Sequence, residues 1–468
     1  MDMKFRKKSI IYTKVQSSLS TARIIALGFA GVILLGGFLL WLPVCSAPGE
    51  HTSFIDALFT AATSVCVTGL VTVPTAVHWS TVGKIVILCI IQLGGLGVIA
   101  VTVSAMLLLG RRITLKGRRV IQEAYNLDTM AGMGNIVRKI VVCTLGAELL
   151  GAVGYSFVFI PEFGWKKGIW QSVFTSISAF CNAGMDILGE DSLIPYVGNP
   201  LVNGVTIMLI VSGGLGFLVW WDLYRVWKEG CGRKGRQRHW YARLHLHSKL
   251  VLASTALLIL GGGILFLLFE YGNPDTLGGM TWGTKIQAAL FQSVTTRTAG
   301  FASVDQGMLS DSSMVLTLFL MFVGGSPMGT AGGVKTTTSA ILFLAIIAYL
   351  KGKDDTEVFQ RKIKEQSIRT AMVVTGLGFF CLLAGSIALS MTMKASFIDI
   401  VYEITSALGT VGLSRGITSQ LPLAGKMIII VNMYLGRIGP ITLATAITIR
   451  ARNRNQNVHL AEEHILIG

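Results

Sequence analysis

Long uninterrupted apolar runs dominate the hydrophobic pattern of this chain. The first, IIALGFAGVILLGGFLLWL at residues 24–42, contains 19 residues without a charge, close to the roughly 20 that cross a bilayer core. A cleaved signal peptide is the alternative, but the run exceeds the roughly 7–15 apolar residues of a signal core, and further apolar runs follow it. The pattern therefore predicts a membrane protein that crosses the bilayer many times.

A four-part arrangement then recurs along the chain: an apolar span, a shorter helix-like stretch, a segment rich in Ser, Thr and Gly, and a second span. The short stretches read SFIDALFTAATSVCVTG, GIWQSVFTSISAFCNAG, TKIQAALFQSVTTRTAG and SFIDIVYEITSALGTVG, and they end at Gly69, Gly184, Gly300 and Gly412. Their spacings are 115, 116 and 112 residues. Small residues that only ease helix packing need not recur in register, so the period indicates four copies of one unit.

The last stretch ends in Thr410-Val411-Gly412, which looks like one strand of a potassium selectivity filter. Such filters need four strands around one axis, because rings of backbone carbonyls replace the hydration shell of the ion. The other copies provide them, and the twelve predicted filter residues are Val67, Thr68, Gly69, Asn182, Ala183, Gly184, Thr298, Ala299, Gly300, Thr410, Val411 and Gly412. Glycine accommodates the unusual dihedrals that turn carbonyls toward an axis. We call these tripeptides the filter segments and expect potassium to bind at their carbonyls.

The charges fit a membrane protein. Only 14% of the residues are charged and 52% are hydrophobic, against about 25% charged in soluble domains. The net charge is +16, and 30 of the 40 Lys and Arg lie in residues 1–23, 111–139, 225–249, 351–369 and 450–468. This positive-inside pattern predicts that both termini and three loops are cytoplasmic. A basic cytoplasmic face suits anionic lipids or an acidic cytosolic partner rather than nucleic acid.

These patterns predict an all-α polytopic membrane protein with four fused outer helix–pore helix–inner helix repeats around one central pore. It would have eight spans plus four re-entrant pore helices. The predicted segments are a basic tail (1–23), repeat one (24–110), a loop (111–139), repeat two (140–224), a loop (225–249), repeat three (250–350), a loop (351–369), repeat four (370–450) and a tail (451–468).

Repeat three has an interrupted inner helix. Residues 314–350 would form a helix of about 55 Å, nearly double the ~30 Å bilayer core. The middle, GGSPMGTAGGVKTTT, contains a proline and five glycines and cannot remain helical. Backbone of this kind at membrane depth must line a cavity or be covered by protein. We therefore expect an intramembrane loop at 324–335, with Gly324, Gly325, Gly329, Thr330, Gly332, Gly333 and Lys335 as candidate gate residues.

Arg437 lies in NMYLGRIGPITLA, about ten residues into the last apolar run. A cation at that depth costs about 2.5–3.5 kcal/mol on insertion scales, so it must face polar protein or water. Two interpretations stay open. The arginine is held by carbonyls for packing alone, or it raises the energy of a passing cation by roughly 4 kcal/mol at 4 Å and an effective dielectric of 20.

The four repeats with one filter glycine each resemble the Trk/Ktr/HKT superfamily of potassium transporters, over roughly residues 20–452. The chain is most similar to the membrane subunit of bacterial Ktr potassium-uptake systems, because repeat one starts near Ile24 without a preceding helix pair. The resemblance implies potassium uptake in the bacterial plasma membrane, with the loop and Arg437 as the gate. It implies selectivity for potassium over sodium, since Gly69 stands where many sodium-favouring relatives have serine. It also implies a homodimer on a cytosolic ring of RCK-domain subunits that bind adenine nucleotides, with sodium coupling left open.

Other function classes find little support. The acids Glu148, Asp222 and Glu270 lie on different predicted helices without His or Lys at ligand spacing, and the seven cysteines form no CxxC pair, so neither an enzyme site nor a zinc site is indicated. No strand-GxGxxG-helix unit occurs, so we expect no organic cofactor in this chain. Carriers with inverted repeats have helix breaks in two corresponding halves. We expect four parallel re-entrant breaks, with one additional break in repeat three.

Overall fold

The structure is a computed structural model that describes residues 21–97, 133–189, 191–231 and 240–439. Residues 1–20 of the predicted N-terminal tail, 98–110 of repeat one, 111–132 and 232–239 of the loops, 440–450 of repeat four and the C-terminal tail lie outside these ranges. Four outer helices are described, at Thr21–Trp41, Met133–Phe163, Leu246–Glu270 and Glu365–Ser390. Each is long and apolar enough to cross a membrane, with a mean hydropathy of 1.7 to 2.4 over its most apolar window. The predicted helical membrane fold is confirmed.

Each outer helix packs against a shorter pore helix of its own repeat. The pore helices are Phe54–Cys66, Trp165–Cys181, Trp282–Thr295 and Phe397–Gly409. In repeat one, the Ser53 hydroxyl accepts a hydrogen bond from the Asp56 amide and donates one to the Asp56 carboxylate at 2.6 Å. Ser396 and Asp399 form the same reciprocal cap in repeat four. Such caps satisfy the free amide groups of the first turn, so the repeated Ser-Phe-Ile-Asp sequence sets where these helices begin.

The inner helices are Thr81–Leu96, Pro200–Leu215, Asp311–Phe322 and Leu423–Ile438. Three of them end at a glycine in the left-handed region, Gly97, Gly216 and Gly439, with φ of 84°, 87° and 87°. After Gly216 the chain bends by 96° into the helix Phe217–Cys231. The break is therefore not peculiar to repeat three, which corrects the expectation of a single additional break. The helices of repeats one and four end at the positions equivalent to Gly216, because LGGLG, SGGLG and LGRIG occupy equivalent positions.

Packing between repeats closes a ring. Each inner helix contacts the pore helix of the following repeat, and the fourth contacts the first. At this last junction, Lys426 of inner helix four forms a 2.5 Å ion pair with Asp56 of pore helix one. Inner helices also approach their own pore helices closely: a Cβ on Gly94 would lie 2.1 Å from the Val65 carbonyl oxygen. Glycine is required where helices approach this closely, as is common in membrane proteins.

The helix bounds differ in detail from the predicted segments. Outer helix two begins at Met133, inside the predicted loop 111–139, and Phe217–Cys231 extends into the loop 225–249. Inner helix three resumes at Thr336–Leu350 beyond the interruption. The predicted loop 351–369 contains a small antiparallel hairpin of β1 (Glu357–Val358) and β2 (Arg361–Lys362). The remaining short elements are Pro43–Cys45, Thr75–His78, Ile194–Tyr196, Trp240–Arg243, Pro274–Gly278, Gln306–Met308 and Thr418–Gln420.

Candidate functional site

The four filter segments share one backbone pattern. Their first residues are left-handed, with φ of 56° at Val67, 60° at Asn182, 80° at Thr298 and 52° at Thr410. The glycines at their third positions have φ of 99°, 63°, 83° and 98°. A left-handed residue with a side chain is uncommon and strained, and such strain concentrates at functional sites. The recurrence of this strained conformation in all four repeats indicates a shared role.

Hydrogen bonds fix the amide groups of these segments. In repeat one, the Thr63 carbonyl accepts the Thr68 amide at 2.8 Å and the Thr63 hydroxyl accepts the Gly69 amide at 2.9 Å. In repeat four the Val411 amide donates to the Ser406 carbonyl and the Gly412 amide to the Ser406 hydroxyl in the same way. In repeat two the Ala183 amide donates to the Ser178 carbonyl, and the Met185 amide donates to the Ser178 hydroxyl. In repeat three the amides of Ala299 and Gly300 both donate to the Thr295 carbonyl. These amides are thus hydrogen-bonded to the pore helices, so they do not take up the carbonyl groups of the filter segments.

The backbone carbonyls of the twelve filter residues accept no hydrogen bond from the residues that the structure describes. Buried carbonyl groups are normally paired, because an unpaired one costs free energy comparable to a lost hydrogen bond. A set of unpaired carbonyl oxygens is suited to a dehydrated monovalent cation. The donor chemistry of the site therefore fits the predicted ion.

Close contacts between the glycines show that the segments surround one axis. A Cβ built on each glycine would lie 2.1 to 2.5 Å from the carbonyl oxygen of the middle residue in the next repeat. The successive pairs are Gly69 with Ala183, Gly184 with Ala299, Gly300 with Val411, and Gly412 with Thr68. The order closes on itself, so any side chain at these positions must displace a neighbouring backbone.

A cavity of about 200 Å³, which we call the vestibule, opens onto all four glycines. Asp186 lines it and is held by hydrogen bonds from the Ser192 hydroxyl at 2.6 Å and the Leu188 amide at 3.2 Å. Gln306 also lines it. An acidic group at a narrow mouth raises the local concentration of cations.

Loop 324–335 docks against repeat two. The Thr330 amide donates to the Gly213 carbonyl at 3.1 Å, and its hydroxyl donates to the Phe180 carbonyl at 3.0 Å. The Ser326 amide donates to the Gly214 carbonyl at 2.9 Å. These contacts place the loop at the end of inner helix two.

The loop also lies directly against filter segment four. A Cβ on Gly332 would lie 2.1 Å from the Thr410 hydroxyl oxygen, so only glycine fits there. The Thr410 and Thr298 hydroxyls and the Asn182 amide are buried and find no hydrogen-bond partner among the described residues. These first-position side chains are additional polar groups that a cation or its water could contact between the filter and the loop.

Both ends of the loop are joined to each other. The Gly324 amide donates to the Val334 carbonyl at 2.8 Å, and the Thr336 amide donates to the Gly325 carbonyl at 3.0 Å. Lys335 donates to the Ala331 carbonyl at 2.7 Å. The lysine therefore bonds within the loop itself, while Gly329 and Gly333 provide the close packing and the left-handed turn the path requires.

Arg437 bridges the loop and inner helix one. It donates to the carbonyls of Thr330 and Gly94, and more weakly to that of Gly95 at 3.4 Å. In the recurring motif it stands where repeats one and two have Gly95 and Gly214. The structure thus brings Arg437 and Thr330 together.

Three polar features near the filter are absent from the predicted site residues. Glu403 is fully buried behind filter segment four, where it accepts hydrogen bonds from Ser414 at 2.8 Å and from Thr418. Asp399 pairs with Arg415 at 2.6 Å. A buried arginine, Arg297, lies three residues before Gly300. The sequence could have indicated Arg297, since TTRTAG places an arginine inside one of the four aligned stretches.

Comparison with known proteins agrees with this architecture. The chain matches the TrkH family model, described as a cation transport protein, over residues 24–457. It is 41% identical over 464 residues to the potassium/sodium uptake protein NtpJ of Enterococcus hirae, covering 98% of this chain and 100% of NtpJ. It is 39% identical over 446 residues to the Ktr system potassium uptake protein B of Bacillus subtilis, covering 95% and 96%.

A solved structure has the same fold. The potassium transporter TrkH from Vibrio parahaemolyticus matches with a TM-score of 0.69 over 92% of this chain and 86% of that one, at 18% identity. The family match covers most of the chain and confirms the resemblance to the Trk/Ktr/HKT superfamily, a group of transporters and not of enzymes. This chain belongs to the TrkH family of cation transport proteins.

Proposed function

We propose that this chain takes up potassium across the bacterial cell membrane through the ring of filter segments. The observation that supports it most strongly is the closed ring of four glycines flanked by unpaired carbonyl oxygens. The relatives from Enterococcus hirae and Bacillus subtilis are named for potassium uptake. Potassium is the cargo here, and the described residues contain no cluster of His, Cys, Asp or Glu that could hold a metal cofactor.

The filter works by substituting oxygen ligands for water. An ion leaving the vestibule loses its hydration shell and recovers that free energy from the carbonyls of four segments at once. The amides tied to Thr63 and Ser406 keep those carbonyls in place without reorganisation. Because the glycines touch the next segment, the ring cannot contract around a smaller ion without backbone clashes, which favours potassium over sodium.

Loop 324–335 and Arg437 form the gate in this proposal. The loop lies against Thr410, below the filter, where it obstructs the path of an ion. Arg437 bonds its middle through Thr330 and adds a positive charge near that path. Opening requires these bonds to break, so any event that moves inner helix four changes the flux.

Control of the gate comes from a cytosolic regulatory subunit. The Bacillus subtilis relative is named as component B of a Ktr system, a name that implies further components. We propose that this chain forms a homodimer on a cytosolic ring of RCK-domain subunits that bind the regulatory nucleotide. The basic segments predicted on the cytoplasmic face would contact that ring and anionic lipids.

A sodium-coupled or sodium-permeable transporter of the same family is the second candidate. It is favoured by one observation, the name of the Enterococcus hirae relative as a potassium/sodium uptake protein. The two candidates share the filter and differ in whether sodium raises the flux of potassium or replaces it.

One uptake experiment tests both. Expression in cells deficient in potassium uptake, with and without a cytosolic partner, should restore growth and rubidium uptake at low potassium. Repeating it with sodium replaced by choline separates the candidates, because only sodium coupling makes uptake fall. A chain that is folded in the membrane together with a partner, yet moves no rubidium in either medium, contradicts the proposed function.

A further inference from the structure

Arg297 is a second intramembrane arginine with unusual surroundings. It follows pore helix three and is only 8% exposed. Its guanidinium makes no hydrogen bond to any residue in the described ranges, and its Nε atom is buried without a partner. A guanidinium has five N–H donors and cannot lose its charge. Leaving it unsatisfied at this depth is costly, so the groups around it must provide a reason for its presence.

A small cavity lies beside Arg297. Its volume is about 20 Å³, which exceeds the roughly 10–15 Å³ that one water molecule needs. Thr255, Gly214 and Gly325 line it with Arg297, among apolar side chains. The Thr255 hydroxyl is also buried with no partner among the described residues. Two unpaired polar groups therefore meet in a space that fits one water.

The cavity borders the point where loop 324–335 begins. Gly325 is the second residue of the loop, and a Cβ built on it would lie 3.3 Å from the Gly214 carbonyl oxygen. That same carbonyl accepts the amide of Ser326. A water in the cavity is thus within reach of Arg297, Thr255 and the first turn of the loop.

The position of Arg297 in its repeat explains what it faces. Its counterparts three residues before the other filter glycines are Cys66, Cys181 and Gly409. Cys181 packs on the inner-helix break of the preceding repeat, since a Cβ on Gly95 would lie 2.4 Å from its sulfur. Arg297 accordingly faces the break of inner helix two at Gly214.

The two arginines belong to opposite junctions of the ring. Inner helix four, with Arg437, packs on pore helix one, whereas inner helix two packs on pore helix three, which precedes Arg297. In a ring of four repeats the junctions four–one and two–three lie across the axis from each other. The loop reaches both: Thr330 bonds Arg437, and Gly325 borders the cavity of Arg297.

We propose that Arg297 is a positioning residue of the gate, holding the first end of loop 324–335 through a water bound in this cavity. Arg437 bonds the middle of the loop directly from the opposite side. The inference rests on the proposed gating role of the loop. It assigns a buried water site, with Arg297 and Thr255 as its side-chain ligands, and a second cationic contact for the loop.

The test measures rubidium flux per folded molecule in proteoliposomes of the purified full chain. Arg297→Gln should raise flux by about threefold or more, because one charge-assisted contact to the loop is lost, without changing the preference for potassium over sodium. Arg297→Lys, which keeps the charge but not the planar fork, should raise it less. Arg369→Gln is the control, since Arg369 is exposed and its one ion pair among the described residues is with Glu365, one turn away.

A background lacking residues 328–331 makes the result specific to the loop. If Arg297 acts through the loop, Arg297→Gln adds nothing there. If the variant with the shortened loop has a higher rubidium flux than wild type but Arg297→Gln in the intact chain does not, the inference about Arg297 is wrong and the proposed gate remains. If shortening the loop does not raise the flux, the proposal that the loop is the gate is wrong.

Two further outcomes also test the role of Arg297. An equal rise from Arg297→Gln in both backgrounds means that Arg297 acts on the filter, which overturns the inference. Should Arg297→Gln not fold, Thr255→Val and Arg297→Lys take its place. Each should raise flux by about twofold in the intact chain only, and no rise in either contradicts the proposed water site.

Discussion

The filter segments and the inner-helix ends beneath them differ in how closely the four repeats agree. In the filter, every repeat has a left-handed first residue and a positive-φ glycine that touches the next segment. Beneath it, repeats one and two have Gly95 and Gly214, repeat four has Arg437, and repeat three has a loop. The layer of filter segments is nearly fourfold symmetric, and the layer of inner-helix ends is not.

The physical demands on the two layers explain this contrast. An ion on the axis must be coordinated from all sides at similar distances, so a change in one repeat disturbs the whole ring. Blocking a pore requires one element from one side. Asymmetry can therefore accumulate at the inner-helix ends without disturbing selectivity, and substitutions in the two layers should affect different properties.

The largest effect is expected from the filter glycines. Replacing Gly69, Gly184, Gly300 or Gly412 with serine puts a Cβ within 2.1 to 2.5 Å of a neighbouring carbonyl oxygen. The resulting strain of about 1–3 kcal/mol corresponds to a loss of potassium-over-sodium discrimination of up to about a hundredfold. Competition of sodium with rubidium uptake measures it.

Gly416→Ser is the matched control for the filter variants. Gly416 also has a positive φ, 92°, but no described residue lies within 4 Å of a Cβ built there. It should change selectivity little. If all four filter variants keep the wild-type preference, the symmetric layer is not the filter.

Shortening the loop should have the next largest effect, on rate and not on selectivity. Removing residues 328–331 eliminates Thr330 and its bonds to Phe180, Gly213 and Arg437. We expect rubidium flux per folded molecule to rise by about tenfold or more, because the closed state loses several contacts. A folded variant with wild-type flux would show that the loop does not obstruct the pore.

Arg437 should give a smaller rise. Arg437→Gln removes the charge and weakens both carbonyl bonds, so we expect a rise of about threefold to tenfold. Arg437→Lys retains the charge but cannot bridge Thr330 and Gly94 with a planar fork, so it should also raise flux, though less.

The two Arg437 variants distinguish two effects of the arginine: the electrostatic repulsion of a passing cation by its charge, and the holding of the loop by its hydrogen bonds. Faster flux in the glutamine variant alone points to the field, and faster flux in both points to release of the loop. Lower thermal stability with unchanged flux per folded molecule in both means that Arg437 only supports packing.

The smallest effect is expected where a hydrogen bond supports the filter indirectly. Ser406→Ala leaves the Gly412 amide without the hydroxyl that accepts it at 3.0 Å. The loss of one such bond should reduce potassium discrimination by about twofold to threefold. The neighbouring Thr405→Val is the control, because within the described ranges the Thr405 hydroxyl bonds only to the Val401 carbonyl of its own helix. Equal effects of the two would exclude a specific role for Ser406.

Much of the fold was predictable because its four repeats recur at nearly regular spacings in the sequence. Four aligned glycines and the alternation of basic loops indicate four repeats, and the helical membrane fold and the family are confirmed. The filter and gate roles stay predictions. The capping role of Asp56 and Asp399 was hidden, since their alignment showed only that both can accept hydrogen bonds.

The remaining errors have a physical cause. The break at Gly216 and the matching helix ends at Gly97 and Gly439 were missed, because the sequence LGGLG resembles an ordinary small-residue packing motif and only the structure shows φ of 84° to 87° at these glycines. The loop of repeat three was evident from its proline and glycines. The partners of Arg437 and the cavity of Arg297 depend on which carbonyls converge from distant repeats, and no local pattern encodes that.

The central claim is that the ring of filter carbonyls binds potassium. Anomalous diffraction from crystals grown in rubidium or thallium tests it directly. We predict a peak on the axis, between the carbonyl oxygens of Thr68, Ala183, Ala299 and Val411, that weakens when potassium competes and persists when sodium does. Strong anomalous density elsewhere in the protein, with none at this ring, would contradict the account.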